Sequence, residues 1–461
     1  MINNSQAMGI NIRRHFFIPL YWKYINSSRV LSYFQELKAL QWLSPEENRH
    51  LQAKKLCSLL SHASRHIPYY RELIKEHHLT FSEDTIFEDI KRFPLLSKEI
   101  IRNHFDVLYR LQGHSPYRNT SGGSTGEPVL FYQDKEYLAW ANANKRLFNL
   151  WAGRNIGEPM VKLWGSLSDI LGQGQGLKGY LRQQVSGITT LGSSRMTDQQ
   201  MVAHVKRINR IKPRLILAYT NSMEELARFI REHHLFVYAP PAVMTAAGVL
   251  YPEIKKTIEE VFRTKVFNRY GSREVSDMAC TCEKDEGLHL VPSLHYLEIL
   301  DDHDKPVPPG TPGNIVVTLL TNYTMPLIRY KIGDRGILSD KTCSCGRGWP
   351  LLEKVEGRIN SCFRNNFGDF INAGSFYPLF YFQDNIKQFQ VVQEKSDFFK
   401  VSLVLKEKNK FKEMKNDLKE INWKINRIMN HKTVVKYNVI DEIKSTPSGK
   451  YQYSYSRIIT K

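Results

Sequence analysis

Leu56, Leu59, Leu60 and Ala63 recur at three- and four-residue steps within Pro45–His66, the spacing of a single helix face. That spacing predicts a helix. It should end at Ile67-Pro68-Tyr69-Tyr70, because proline disfavours the helical conformation in the residue before it. Leu147, Leu150 and Trp151 predict a second helix over Glu136–Trp151. From Pro213 to Thr324 short apolar runs alternate with amphipathic stretches. Leu215–Tyr219, Ala242–Ala247 and Lys265–Gly271 read as strands. Ser222–His233, with Ser222 as its cap, and Tyr251–Phe262, with Pro252 in its first turn, read as helices. Strand–helix–strand–helix–strand implies parallel strands joined by crossover helices, an α/β sheet.

The texture then changes. Phe398–Lys406 largely alternates, as a half-buried strand does. Phe411, Met414, Leu418, Ile421, Ile425 and Met429 follow at helical steps, and Val434–Ile440 is a further strand. This is a small α+β unit of typical domain size. The expected organisation is a large α/β domain over 1–356 and a small α+β domain over 357–461, divided at Gly357-Arg358.

Lys plus Arg outnumber Asp plus Glu by 65 to 46, a formal charge of +19 in 461 residues. The excess suits an anionic partner: a nucleotide, an acidic glycan or an anionic membrane face. It is dispersed, with a dense patch over Lys406–Lys419 that reads as a solvated helix face. No aromatic–basic nucleic-acid module is evident, so nucleic acid is not an expected partner. No apolar run is long enough to span a bilayer. The opening MINNSQAMGINIRRHFFIPLYWKYI lacks a signal peptide's long apolar core. A basic, aromatic stretch of this kind suits a membrane surface, but a packed helix is the simpler expectation. A chain of this size needs no disulfide staples, so the reading is cytoplasmic with reduced thiols.

Candidate chemistry sits in four places. Arg118–Tyr132, RNTSGGSTGEPVLFY, crowds glycines and hydroxyls before an apolar run; such a loop can fold N–H groups into a phosphate-binding nest, though it is not a Walker loop. Tyr270–Glu274, YGSRE, closes the third strand. Arg329–Gly336, RYKIGDRG, places Asp334 after Gly333 in what reads as a polar turn. Thr446–Gln452, TPSGKYQ, carries Lys450 on a loop near the end. In this order and at these distances the motifs resemble the adenylate-forming superfamily, in particular its phenylacetate–coenzyme A ligase-like branch with the members of capsular polysaccharide biosynthesis. The likeness runs from Leu59 to Lys450.

The resemblance implies an AMP-forming ligase acting through an acyl-adenylate. It assigns ATP phosphates to Thr120, Ser121, Gly122, Gly123, Ser124, Thr125 and Gly126, and the adenine and acyl site to Tyr270 and Gly271. It assigns magnesium to Glu274, the ribose hydroxyls to Asp334, the inter-domain hinge to Gly357 and Arg358, and adenylation catalysis to Lys450. After the hinge the family commonly carries an acidic residue; here Ile359-Asn360-Ser361 follow. Arg364–Pro378 is closer to the polysaccharide-associated members than to the coenzyme A ligases. Adenylation therefore follows more directly than transfer to coenzyme A.

Cys280-Thr-Cys282, His289 and Cys343-Ser-Cys345 offer five candidate metal ligands, one more than a structural zinc site needs. The resemblance picks Cys282, His289, Cys343 and Cys345, with Cys280 as neighbour or substitute, and implies a closed structural site. The expected partners are a small carboxylate and an acceptor (amine, sugar or coenzyme A), with peripheral contact to membrane-bound polysaccharide machinery. Two other readings remain: an aryl- or acyl-coenzyme A ligase, and a non-catalytic basic scaffold for glycan or membrane.

Overall fold

A computed structural model describes residues 10–20, 29–111, 116–121, 129–164, 186–193, 196–358, 362–367, 370–381, 383–444 and 452–458. The predicted first helix spans Pro45–His66. Ser44 caps it with a reciprocal bond to Glu47, and Ile67 turns extended before a new helix starts at Pro68. The second helix spans Lys135–Trp151.

A hairpin of β1 (Tyr117–Thr120) and β2 (Leu130–Gln133) brackets the glycine loop. The large sheet holds β3 (Met160–Trp164), β4 (Ile188–Gly192), β5 (Leu215–Tyr219), β6 (Ala242–Ala246), β7 (Lys265–Ser272), β8 (Ser276–Thr281), β9 (Leu288–Leu290), β10 (His295–Leu300), β11 (Gly313–Leu319), β12 (Tyr330–Leu338) and β13 (Leu351–Arg358). Its order is β10-β11-β12-β13-β9-β8-β7-β6-β5-β3-β4. Strands β4, β3, β5, β6 and β7 are parallel; the alternating pattern implied this for β5, β6 and β7, while β3 and β4 were not foreseen. From β7 through β8, β9, β13, β12, β11 and β10 every pairing is antiparallel, a half of the sheet that the sequence reading did not foresee.

Two readings need correction. The helix after β5 spans Thr220–Glu232, so Ser222 is buried within it and is not its cap. Asp334 lies inside β12, not in a turn; Gly333, at φ +85°, bends the strand without ending it.

The small unit follows. Strands β14 (Cys362–Arg364) and β15 (Phe370–Asn372) pair, and β16 (Ile386–Lys395), β17 (Phe398–Leu405), β18 (Val434–Val439) and β19 (Ser454–Ser456) form a sheet ordered β18-β17-β16-β19. The helix Lys415–Met429 buries Leu418, Ile421, Ile425 and Met429, the predicted face. Its core continues into the large unit: Phe376, Tyr377 and Phe389 belong to one buried cluster with Met223, Ile254 and Ile258. Among the described residues, no helix is long and apolar enough to cross a membrane.

Candidate active site

The motif residues gather where the parallel strands end, the crevice in which open α/β sheets bind ligands. Strand β7 carries Tyr270 and Gly271 to this edge. A Cβ on Gly271 would meet the Ser276 carbonyl oxygen at 2.4 Å, so only glycine lets β8 fold back so closely. That approach aims Tyr270 across the sheet, and its hydroxyl donates to Asp334 Oδ2 at 2.9 Å. Asp334 is buried. Glu274, in the β7–β8 turn, is 4% exposed, and the Tyr330 hydroxyl donates to its Oε1 at a long 3.4 Å. Three non-glycine residues in the left-handed region border this edge: Ala247 after β6, Ser276 at the start of β8 and Arg329 before β12. Such strain persists only where surrounding structure enforces it, and it clusters at functional sites. Arg329 shows the enforcement, pairing with both oxygens of buried Glu298 and donating to the Lys91 and Phe93 carbonyls at 2.6 Å.

Strands β1 and β2 flank the glycine loop. Ser121 N–H donates to the Val129 carbonyl, and Ser121 Oγ accepts from Val129 N–H, both at 2.8 Å, which pinches the base of the loop. Thr120 precedes it at the end of β1. Gly122, Gly123, Ser124, Thr125 and Gly126 lie outside the described residues, as does Lys450. One residue that sequence reasoning missed joins the hairpin to the site. Gln133 is buried; its Nε2 donates to the Arg273 carbonyl at 2.8 Å and the Glu274 carbonyl at 3.3 Å, and its Oε1 accepts from Asn119. The available signal was a lone amide closing the apolar run Val129–Tyr132. Arg358 stands opposite Asp334 in the β12–β13 register. Gly357 beside it has φ +101°, and a Cβ there would meet Val249 at 2.9 Å.

The cysteine–histidine group converges. The ligand atoms of Cys282, His289, Cys343 and Cys345 all lie within 4.8 Å of one another. Cys282 and Cys343 sulfurs are 3.6 Å apart, and Cys345 Sγ is 3.4 Å from His289 Nε2. A zinc tetrahedron with bonds near 2.3 Å to sulfur and 2.0 Å to nitrogen has edges of about 3.5–3.8 Å; the two short spacings match such edges, and the whole group, within 4.8 Å, would close slightly around the ion. Backbone N–H groups of Lys284 and Arg347 point at the Cys282 and Cys345 sulfurs. Burial, with Arg347 nearby, lowers the His289 pKa to about 4 and keeps the ring neutral, the form that binds a metal. Cys280 is buried nearby but stands outside the converging four. Strand β8 links the two places, running from beside Glu274 to Thr281, next to Cys282.

Residues 364–457 match the family described as the CapK C-terminal domain. The chain is 28% identical over 334 residues to a phenylacetate-coenzyme A ligase of Thermus thermophilus, covering 70% of this chain and 72% of that one. It is 23% identical over 433 residues to Protein CapK of Staphylococcus aureus, covering 92% of each. The structure of 2-hydroxyisobutyryl-CoA ligase in the postadenylation state with R3-HIB-AMP superposes with a TM-score of 0.72 at 19% identity, over 91% of this chain and 92% of that one. The same ligase in its thioesterification state gives 0.56 at 19% identity, over 90% and 91%. The homologues are thus phenylacetate-coenzyme A ligases and CapK, as the motif order implied, and the fold is that of the coenzyme A ligases.

Proposed function

From a chain homologous to phenylacetate-coenzyme A ligases and to CapK, within the adenylate-forming superfamily, we propose an ATP-dependent carboxylate-activating ligase. One observation carries the reading: Tyr270 and Asp334 meet at 2.9 Å beside buried Glu274, on the edge that the β1–β2 hairpin joins through Gln133. Here Asp334 would accept from the ribose hydroxyls, with the Tyr270 hydroxyl holding its other oxygen in place. Thr120 and Ser121 would lead the loop onto the phosphates. Glu274 suits a cation, because it is a buried carboxylate whose side-chain bond among the described residues is one long contact. Magnesium, when bound, supplies charge neutralisation on phosphate oxygens. Lys450 would add a second cationic group. A substrate carboxylate oxygen then attacks the α-phosphorus, the bond to pyrophosphate breaks, and an acyl-adenylate forms. Electrostatic stabilisation and positioning do most of this work, and no side-chain nucleophile is needed.

The cysteine–histidine centre is assigned to structural zinc, clamping the loops after β8 and β12. The acceptor is assigned to the surface-polysaccharide class, an amine or hydroxyl on a sugar or amino compound. Its support is the small unit, which matches the CapK family, together with the full-length likeness to CapK. Transfer to coenzyme A is the second reading, favoured by the likeness to the Thermus ligase. ATP–pyrophosphate exchange across uronic, amino and aryl acids tests the activation step. Exchange with one acid is expected; ATP binding without exchange for any acid removes the reading and favours a scaffold. Product analysis with coenzyme A against amino sugars then separates the acceptors.

A further inference from the structure

Residues 10–20 form one helical segment, π-helical over Arg13–Phe17. A surface helix of a globular protein normally has a single apolar stripe, turned inward. This one has two. Ile10 and Ile18 are buried. The helix sits directly on Gly157, where a Cβ would meet Ile10 O and Arg14 N at 3.2 Å. Arg14 Nε donates to the Ile156 carbonyl at 3.0 Å and Arg13 to the Gly157 carbonyl at 3.4 Å, so both guanidiniums lie at the root of the helix. The other stripe faces out: Ile12 at 42% exposure, Phe16 at 60% and Leu20 at 40% recur every four residues, with Phe17 at 43% alongside. The Phe16 and Phe17 rings meet edge-on at 5.4 Å, forming one apolar ridge, and exposed His15 flanks it.

The ground beneath this ridge is cationic. Arg14 and Arg214 both approach Glu158, at 3.8 and 3.9 Å, while Arg154 donates to the Glu158 backbone carbonyl. With Arg13 on the Gly157 carbonyl, four guanidiniums gather about the segment Ile156–Glu158, which carries one carboxylate. An apolar ridge beside a positive base, in a chain of charge +19, matches the physics of an interfacial helix: rings enter the headgroup–acyl boundary while the partly exposed Arg14 and Arg214 at its foot meet lipid phosphates. Pairing with a second copy through this face would bring two such arginine groups together, which like-charge repulsion opposes.

We propose that the face formed by Ile12, Phe16, Phe17 and Leu20 docks the protein on an anionic phospholipid bilayer. The proposal does not rest on the adenylation reading, since it needs neither nucleotide nor substrate. The test is co-sedimentation of the full chain with vesicles of equal phosphatidylcholine and phosphatidylglycerol, against pure phosphatidylcholine. Wild type should bind the anionic vesicles and release with added salt. Phe16→Ser/Phe17→Ser, and separately Ile12→Ser/Leu20→Ser, should each lose about tenfold or more in apparent affinity at unchanged melting temperature. Failure of wild type to bind, equal binding to neutral vesicles, or full binding by both variants overturns the proposal. So does a wild-type dimer in sedimentation equilibrium that the variants abolish, which would assign the face to a second copy.

Discussion

Replacing Tyr377 with phenylalanine should loosen the small unit from the large one. Glu224, in the helix Thr220–Glu232, is buried, and its two oxygens accept from Tyr377 and Tyr453 hydroxyls of the small unit. Around this pair, Tyr251 stacks on Tyr377 at 4.9 Å, Thr257 and Tyr381 hydroxyls meet, and Arg228 donates to the Ile386 carbonyl at 3.2 Å. The substitution keeps the ring and its packing and removes only the hydroxyl. One buried oxygen of Glu224 is left without its donor, a loss of about 1–3 kcal/mol. The undocked population should therefore rise roughly five- to a hundredfold. Tryptic cleavage after Arg358, followed by mass spectrometry, reads that population when opening is fast relative to cleavage. A cleavage rate equal to wild type, with unchanged melting temperature, would refute the latch.

The same latch has a pH sign. Burial, the largest cause, raises the pKa of Glu224 despite its two tyrosine donors and Arg228. Burial likewise raises neighbouring Glu225 to about 7, against Lys387 and Arg228. Carboxyls whose pKa values docking raises favour docking when protonated. Docking is then strongest below the ordinary carboxylate value of 4.5 and weakens as pH rises through about 7. Cleavage after Arg358, normalised to a control peptide, should accelerate between pH 6 and 8; a flat profile would count against this assignment.

Gly271→Ala should lower the melting temperature and the exchange rate together, because the added methyl has no room beside the Ser276 carbonyl; a normally stable, active variant would show that β7 and β8 can part cheaply. Cys343→Ser, or a strong chelator, should remove one zinc per chain by elemental analysis and lower the melting temperature, while the bound-ATP affinity changes little; a chain purified without metal and equally stable would end the zinc assignment. Lys450→Ala should abolish pyrophosphate exchange yet spare transfer from a supplied acyl-adenylate, and normal exchange by the variant would show that the lysine is misassigned.

Three of the parallel strands, β5, β6 and β7, were legible because short apolar runs alternate there with amphipathic helices, as in Leu215–Tyr219 and Thr220–Glu232, whereas β3 and β4 were not read. The antiparallel half was not legible, because strands such as Leu288–Leu290 are too short to carry a period. Asp334 misled for a related reason. Gly-Asp within a polar stretch reads as a turn, and only the pairing of Arg335 with both Asn314 and Gly357 shows that the ladder continues through it. The converging cysteine–histidine group was legible from the paired cysteines, with the family resemblance choosing His289 over Cys280, whereas Gln133 acts through backbone carbonyls of residues 140 and 141 positions away, which local pattern does not encode. The latch on Glu224 is equally long-range: its partners lie 153 and 229 residues downstream.

The register that sets Asp334 opposite Arg358 also defines a lever. Neighbouring strands stand about 4.8 Å apart, so the candidate ribose contact and the candidate pivot are one strand-spacing from each other. A unit of about a hundred residues measures roughly 33 Å across. A displacement at Asp334 of a few tenths of an ångström, felt as rotation at the Gly357 end of β13, would sweep the far edge of the small unit about seven times as far. Arrival or departure of a nucleotide would then be geared mechanically to the swing of the small unit, with β13 as the crank.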